Sequence, residues 1–411
     1  MKTKNAARKR VLHPADTGRE RAMDSILIEA ARRWICAGSP MQWPCAHLCE
    51  PGLRGLFFAG VPFRGRPTRV FAWLGLPDGA SERQRVPGVV LVHGGGGTAF
   101  ARWVRWWCAR GFAAIAIDTC GAQPLPDTGA LGSADWPRHD HAGPPGWGSF
   151  NQAGWPLEDQ WVFHAAAAIV KARLLLAAHP AVDADRIGIT GISWGGFLTC
   201  LAAGIDSGFR CAAPVYGCGF VSEASIWTQN GSFSGMSDAQ FGQWKTHWDP
   251  ASVLHRAHLP MLWLNGSNDF AYWPPIWQKS ALATAGPRQM CFKLRWPHGH
   301  IAAAEQADEI ERFFCHHLLD EPGLAALNAP VRSGRRLRAA WTGSQAMRCA
   351  SLVVTPDRGP WPERQWHLLP ARLDRAQQSI EAELPETWTA AALSLLSEDY
   401  LYTTTDLIFP D

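Results

Sequence analysis

The chain has 411 residues, 47% of them hydrophobic, and a formal net charge of +3. That length exceeds one average domain and accommodates one large α/β domain of about 250 to 300 residues plus a smaller module. The charge is uneven: residues 1 to 21 carry seven Lys or Arg against Asp16 and Glu20, net +5, which leaves about −2 elsewhere and argues against a nucleic-acid surface on the folded body.

Residues 1–22 read as a solvated, disordered basic arm. The arm lacks the apolar run and cleavage site of a secretory leader, and no later segment is apolar for long enough to span a bilayer. A soluble, cytoplasmic protein with no membrane partner is the expectation. The 11 cysteines form no CxxC pairs, and Cys200, Cys211 and Cys291 fall in apolar runs, as buried reduced thiols do.

In chain order, Met23 to Trp34 reads as a short helix, and Leu53 to Gly60 and Arg69 to Pro77 as two strands of a hairpin. From Val86 the pattern alternates. Strands are predicted at Gly88 to His93, Ala113 to Asp118, Arg186 to Thr190, Arg210 to Tyr216, Met261 to Asn265 and Met290 to Trp296. Helices are predicted at Ala99 to Arg110, Leu157 to Ala178, Gly195 to Gly204, Pro275 to Ala285 and Ala302 to Leu319. Such alternation predicts a mostly parallel sheet with helices on both faces, an α/β domain over residues 23–325. Two long connections, 119–156 and 217–250, leave carboxyl ends of predicted strands, where open α/β sheets bind ligands. Beyond Pro330, short apolar runs separated by Pro, Gly and Asp predict an all-β, sandwich-like module over residues 331–411.

Gly191-Ile192-Ser193-Trp194-Gly195-Gly196 follows a predicted strand and precedes a predicted helix. That is the context of a nucleophile elbow, in which a serine on a tight turn needs neighbours two residues away without side chains. Ser193 is therefore the candidate nucleophile. A serine alcohol is weak at neutral pH, so it needs a base and an orienting acid. Asp269 lies just past one predicted strand. His298 and His300 share the loop past the last one, giving the order Ser, Asp, His. His300 is preferred as the base, with His298 as the alternative. The run His93-Gly94-Gly95-Gly96-Gly97 ends a predicted strand, so the N–H of Gly95 or Gly96, with that of Trp194, would form an oxyanion hole. The run lacks the lysine and hydroxyl of a phosphate-binding P-loop. His139-Asp140-His141 and His316-His317 lack the one-face spacing of helical metal ligands, and no metal is expected. Of the 22 tryptophans, Trp155, Trp227 and Trp273 fall where they would rim such a site and stack on substrate.

These blocks, from about Pro87 to Leu319, resemble the α/β-hydrolases of the acetyl-xylan-esterase-like and dienelactone-hydrolase-like kind, with kinship to the catalytic domain of prolyl oligopeptidases. The resemblance rests on Val90 to Phe100, Asp183 to Gly196, Pro214 to Gly219, Asn265 to Phe270 and Pro297 to His300. It implies hydrolysis of short-chain carboxylic esters, often acetyl groups on carbohydrates, by a Ser/Asp/His triad without metal or organic cofactor. Dienelactone hydrolases usually carry cysteine where this chain has Ser193. The predicted β-module lies outside the shared core. A small-molecule ester is thus the expected substrate, with a prolyl-oligopeptidase-type peptidase and a non-catalytic scaffold as alternatives. The oligomeric state is left open, a homo-oligomer included.

Overall fold

The computed structural model describes residues 24–124 and 136–410. The predicted basic arm therefore lies outside the described residues, as does the stretch 125–135 of the first long connection. The chain opens with α1 (Ile26–Cys36), then β1 (Gln42–Glu50), β2 (Leu53–Ala59) and β3 (Arg69–Gly75). Strands and helices then alternate: β4 (Val86–Val92), α2 (Ala101–Cys108), β5 (Ala113–Ile117), α3 (Trp161–Ala177), β6 (Val182–Ile192), α4 (Trp194–Ile205) and β7 (Cys211–Val215). The second long connection is not irregular throughout. It contains α5 (Ile226–Gln229) and α6 (Asp238–His247), the latter begun by a reciprocal capping box between Ser237 and Gln240.

After it come β8 (Met261–Gly266), α7 (Pro274–Leu282) and β9 (Arg288–Lys293). The single helix predicted over 302–319 is two, α8 (Ala302–Glu305) and α9 (Asp308–Leu319), because Gln306 and Ala307 leave helical geometry. The remainder is β10 (Ala326–Leu327), β11 (Val331–Ser333), β12 (Arg336–Thr342), β13 (Met347–Thr355), β14 (His367–Pro370), β15 (Arg372–Asp374), β16 (Ser379–Glu383), β17 (Ala390–Ser397) and β18 (Tyr402–Thr404).

Strands β5, β4, β6, β7, β8 and β9 lie side by side and parallel, and β1, β2 and β3 extend one edge antiparallel. This is the α/β-hydrolase architecture. Burial explains the parallel part: β5, β7 and β8 are buried at every residue, as strands covered on both faces must be. Helix α3 is apolar almost all round because it is itself buried, with Ala165 to Ala168 permitting close approach to its neighbours.

The carboxyl-terminal strands form the expected all-β module, but not as an isolated unit. Strands β18, β17, β13 and β14 continue the main sheet beyond β9 in a thirteen-stranded order, joined through the antiparallel pair Met290 and Thr404. The remaining strands form a separate five-stranded sheet. Strand β17 shows how the two are joined. Ala390 and Ala392 belong to the hydrolase core, whereas Ala391, Leu393 and Leu395 belong to a second core with Leu337, Leu352 and Ile380. Period-two alternation thus sends one face to each core. Each fully buried leucine there contributes about 2 kcal/mol of apolar burial.

Candidate active site

Strand β6 delivers Ser193 into a strained turn with φ 59° and ψ −117° before α4 starts at Trp194. A non-glycine residue in such a region costs about 1–3 kcal/mol and persists only where the surroundings enforce it. Here they do: Ser193 N–H donates to Val215 O at 2.9 Å, and Ser193 O accepts from Phe197 N–H at 2.9 Å. A Cβ on Gly191 would lie 2.3 Å from Gly195 O, and one on Gly195 would lie 2.0 Å from Val92 O. Both flanking glycines are therefore required by close backbone packing.

Asp269 follows β8 and is 1% exposed. Its Oδ1 accepts from Ala271 N–H at 2.8 Å and Tyr272 N–H at 2.7 Å, and its Oδ2 lies 2.6 Å from His298 Nδ1. A carboxylate is acceptor-only, so His298 Nδ1 carries the proton of this bond, and in the neutral ring Nε2 keeps its lone pair. The His298 ring is stacked on Tyr216, with centroids 4.3 Å apart and planes at 24°, and Phe270 packs against it at 4.7 Å. Tyr216 is itself tied down by donating its hydroxyl to Pro297 O at 2.8 Å.

The preference for His300 is not met by this geometry. His300 Nε2 accepts from Gly94 N–H at 2.8 Å, and His300 Nδ1 lies 3.1 Å from Glu305 Oε1. The first bond occupies the lone pair a base would need, and the second gives His300 a carboxylate other than Asp269. Glu305 is held in turn by Arg102 at 2.6 Å and 2.9 Å. Burial pushes the His300 imidazole down from its ordinary value despite Glu305, so it is held neutral. Burial alone would raise the Glu305 carboxyl, but the hydrogen bonds from His300 and Arg102, together with the Arg102 charge, outweigh it and lower the group.

The glycine run is shaped by the same kind of fixed histidine. Thr119 N–H donates to His93 Nε2 at 2.9 Å, so His93 Nδ1 carries the proton that reaches Gly94 O at 2.8 Å. Burial lowers the His93 imidazole, in keeping with a neutral ring. Asp118 supports the neighbouring loop, accepting from Cys120 N–H and Ala122 N–H at 2.8 Å each and from Thr98 Oγ1 at 3.0 Å. A Cβ on Gly94 would stand 2.7 Å from Ile192 O, so the run is pressed against the elbow. Trp194 is the first residue of α4, where an N–H has no partner within the helix.

Ser193, His298, Gly95, Gly96, Trp194 and Trp227 line one cavity of about 550 Å³. Phe100, Ile226, Phe270 and Ile301 make its walls apolar, and Asn230 adds one amide. Those five were not singled out from the sequence. Of the three tryptophans expected at the rim, only Trp227 is there, with its ring 4.6 Å from Trp194. Trp155 packs instead beneath the Arg64 guanidinium at 4.5 Å, and Trp273 donates to Phe270 O at 3.3 Å outside the lining. Cys200, Cys211 and Cys291 are buried and free, and burial raises their thiols, so they are poor nucleophiles. No helix among the described residues is long and apolar enough to cross a membrane.

Two family models match. The prolyl oligopeptidase family model covers residues 145–314, and the acetyl xylan esterase (AXE1) model covers residues 55–226. Among solved structures, an acetyl xylan esterase from Paenibacillus sp. R4 superposes with a TM-score of 0.56 at 20% identity, over 72% of this chain and 96% of that one. Acetyl xylan esterase 1 from Thermoanaerobacterium sp. JW/SL YS485 gives a TM-score of 0.54 at 16% identity, over 71% and 94%. Identities this low speak for the fold. A probable dipeptidyl-peptidase 5 of Emericella nidulans is 30% identical over 190 residues, 45% of this chain, and this chain spans only 24% of its length. These matches support a serine hydrolase. Both models lie on one sheet and its helices, and the chain has the α/β-hydrolase fold, similar in part to acetyl xylan esterases and to the prolyl oligopeptidase family.

Proposed function

We propose that the chain is a serine carboxylesterase in which Ser193, His298 and Asp269 act as the triad. The observation that carries the reading is the 2.6 Å pairing of His298 Nδ1 with buried Asp269, in a ring that shares its cavity with the strained Ser193. Ser193 Oγ attacks the ester carbonyl carbon as its proton passes to His298 Nε2. Asp269 keeps the imidazole oriented and stabilises its charged form. The N–H groups of Trp194 and of Gly95 or Gly96 receive the developing oxyanion. Collapse of the tetrahedral intermediate returns the proton to the leaving alcohol and leaves an acyl-Ser193. Water, deprotonated by His298, then releases the acid.

Acetyl-type esters, including those of carbohydrates, are the substrates to test first, since two structural neighbours are acetyl xylan esterases. The peptidase reading draws on the prolyl oligopeptidase model and on the dipeptidyl-peptidase relative. A dipeptidyl-peptidase must hold a substrate ammonium, yet among the described residues lining the cavity none is a carboxylate. Comparing kcat/KM for p-nitrophenyl acetate with that for a dipeptide p-nitroanilide separates the two. Ester turnover at least about 10³-fold faster supports the esterase, and the reverse order supports the peptidase.

A further inference from the structure

The loop that carries Asp269 is fastened to the carboxyl-terminal module by its preceding residue. The Asn268 side-chain amide donates both its hydrogens across the seam, to Pro362 O at 2.9 Å and to Arg364 O at 2.8 Å. Its own oxygen accepts from Ser267 Oγ at 2.7 Å. Ser267 Oγ in turn accepts from Arg295 N–H at 2.9 Å. Arg295 lies in the connection from β9 to His298, and its guanidinium reaches Gln365 at 3.1 Å. Both loops of the acid–histidine pair therefore meet the same module segment, residues 361–365, a short distance before Asp269 and His298.

That segment is itself well anchored. Trp366 is buried, with its ring 5.1 Å from Phe292 of β9, and Trp361 stacks near it at 6.4 Å. The Arg364 guanidinium lies 3.5 Å from the centroid of the Trp361 ring and donates through Nε to Gly359 O at 2.8 Å. Gln365 N–H is fixed by Asp357 Oδ2 at 2.6 Å. The two acceptor carbonyls are thus held by the module, and an amide with every hydrogen engaged has one orientation to offer.

We propose that the carboxyl-terminal module is a working part of the catalytic site, and that Asn268 is the positioning residue through which it sets Asp269 against His298. The proposal rests on the Ser193, His298 and Asp269 reading above. Asp269 accepts from the backbone of Ala271 and Tyr272 on its far side, so the loop is gripped on both flanks of the carboxylate. Freeing one flank lets the carboxylate swing away from Nδ1. A misplacement of about 1 Å at such a site is worth up to ~10²-fold in rate, whereas substrate binding in the cavity is untouched.

The test is steady-state hydrolysis of p-nitrophenyl acetate by the full-length chain and three variants, with melting temperatures measured alongside. Asn268→Ala removes both donors, and Gln365→Ala cuts the link to Arg295. Leu352→Val loosens the module's own core without touching the seam. The expected result is a fall in kcat of roughly 10- to 100-fold for Asn268→Ala with KM within about twofold. A smaller fall is expected for Gln365→Ala, and unchanged kcat with a lowered melting temperature for Leu352→Val. Wild-type kcat in Asn268→Ala, or a loss of kcat in Leu352→Val as large as in Asn268→Ala, overturns the proposal, since the seam would then be only adhesive. Undiminished turnover by Ser193→Ala would instead overturn the triad reading beneath it, so the two failures are distinguishable.

Discussion

His300 Nε2 accepts the Gly94 N–H at 2.8 Å, and this bond separates the roles of the two histidines in one loop. His298 is paired with Asp269 through Nδ1, and its Nε2 has no hydrogen-bond partner among the described residues, whereas His300 fastens the glycine run to Glu305 and Arg102. His298→Ala is expected to lower kcat by about 10⁴-fold or more. His300→Gln retains an acceptor for Gly94 and is expected to stay within about tenfold of wild type. Esterase kinetics on the two variants check this, and the opposite ranking would reassign the base.

The elbow makes a stability prediction. A Cβ on Gly195 would sit 2.0 Å from Val92 O, an acceptor in a buried strand that has nowhere to move. Gly195→Ala is expected to cost about 3 kcal/mol or more, read as a drop in urea midpoint at unchanged m-value. A variant as stable as wild type would mean that the turn relaxes without loss.

Trp227 and Trp155 are expected to behave differently. Trp227 lines the cavity, so Trp227→Ala is expected to raise KM for p-nitrophenyl esters of ring-bearing acids about tenfold, near 1–2 kcal/mol of lost contact. Trp155 packs with Phe63 at 6.2 Å and beneath Arg64, away from the lining. Its alanine variant is expected to lose stability and keep its KM for the same ester series.

Much of the fold was legible from the sequence pattern, because β4, β5, β7 and β8 are short, almost wholly buried apolar runs and β6 carries another from Ile187 to Ile192. Strand β1 was not anticipated, since Pro44, His47 and Glu50 interrupt any alternation and its pairing with β2 slips in register between Pro44 and Cys49. Strand β17 carries no strand pattern of its own: Ala390-Ala391-Ala392-Leu393 has helical propensity, and only burial between two cores makes it extended. Ser193 and Asp269 are candidates by local spacing alone. Local spacing does not choose the histidine, because His298 and His300 share one loop, and the preference it gives, His300, is the ring that accepts from Gly94. The distinction lies in partners 206 positions away at Gly94 and 29 away at Asp269, which no local pattern encodes. Likewise the tryptophans that rim the cavity are chosen by chain path, not by residue type.

Stability is expected to fall in mild acid. Burial holds the His164 imidazole down to about 4, and the same cause brings His139 and His317 to about 4. The unfolded chain protonates these rings near 6.5, so it binds more protons than the folded state between pH 6.5 and about 4. Their stabilisation is therefore complete well above pH 6.5 and is lost as the pH falls through that window, with about 3 kcal/mol from His164. Melting temperatures from pH 8 to pH 4 check the trend, and His164→Phe is expected to flatten it. An unchanged slope in that variant would remove His164 from the account.

The most direct measurement is covalent labelling with a fluorophosphonate, read by intact-mass and peptide-mass spectrometry, for the wild type, Ser193→Ala and His298→Ala. A triad of Ser193, His298 and Asp269 predicts stoichiometric labelling of wild type at Ser193, none in Ser193→Ala, and labelling slowed by several orders of magnitude in His298→Ala. Labelling at another residue, or undiminished labelling of His298→Ala, would contradict it.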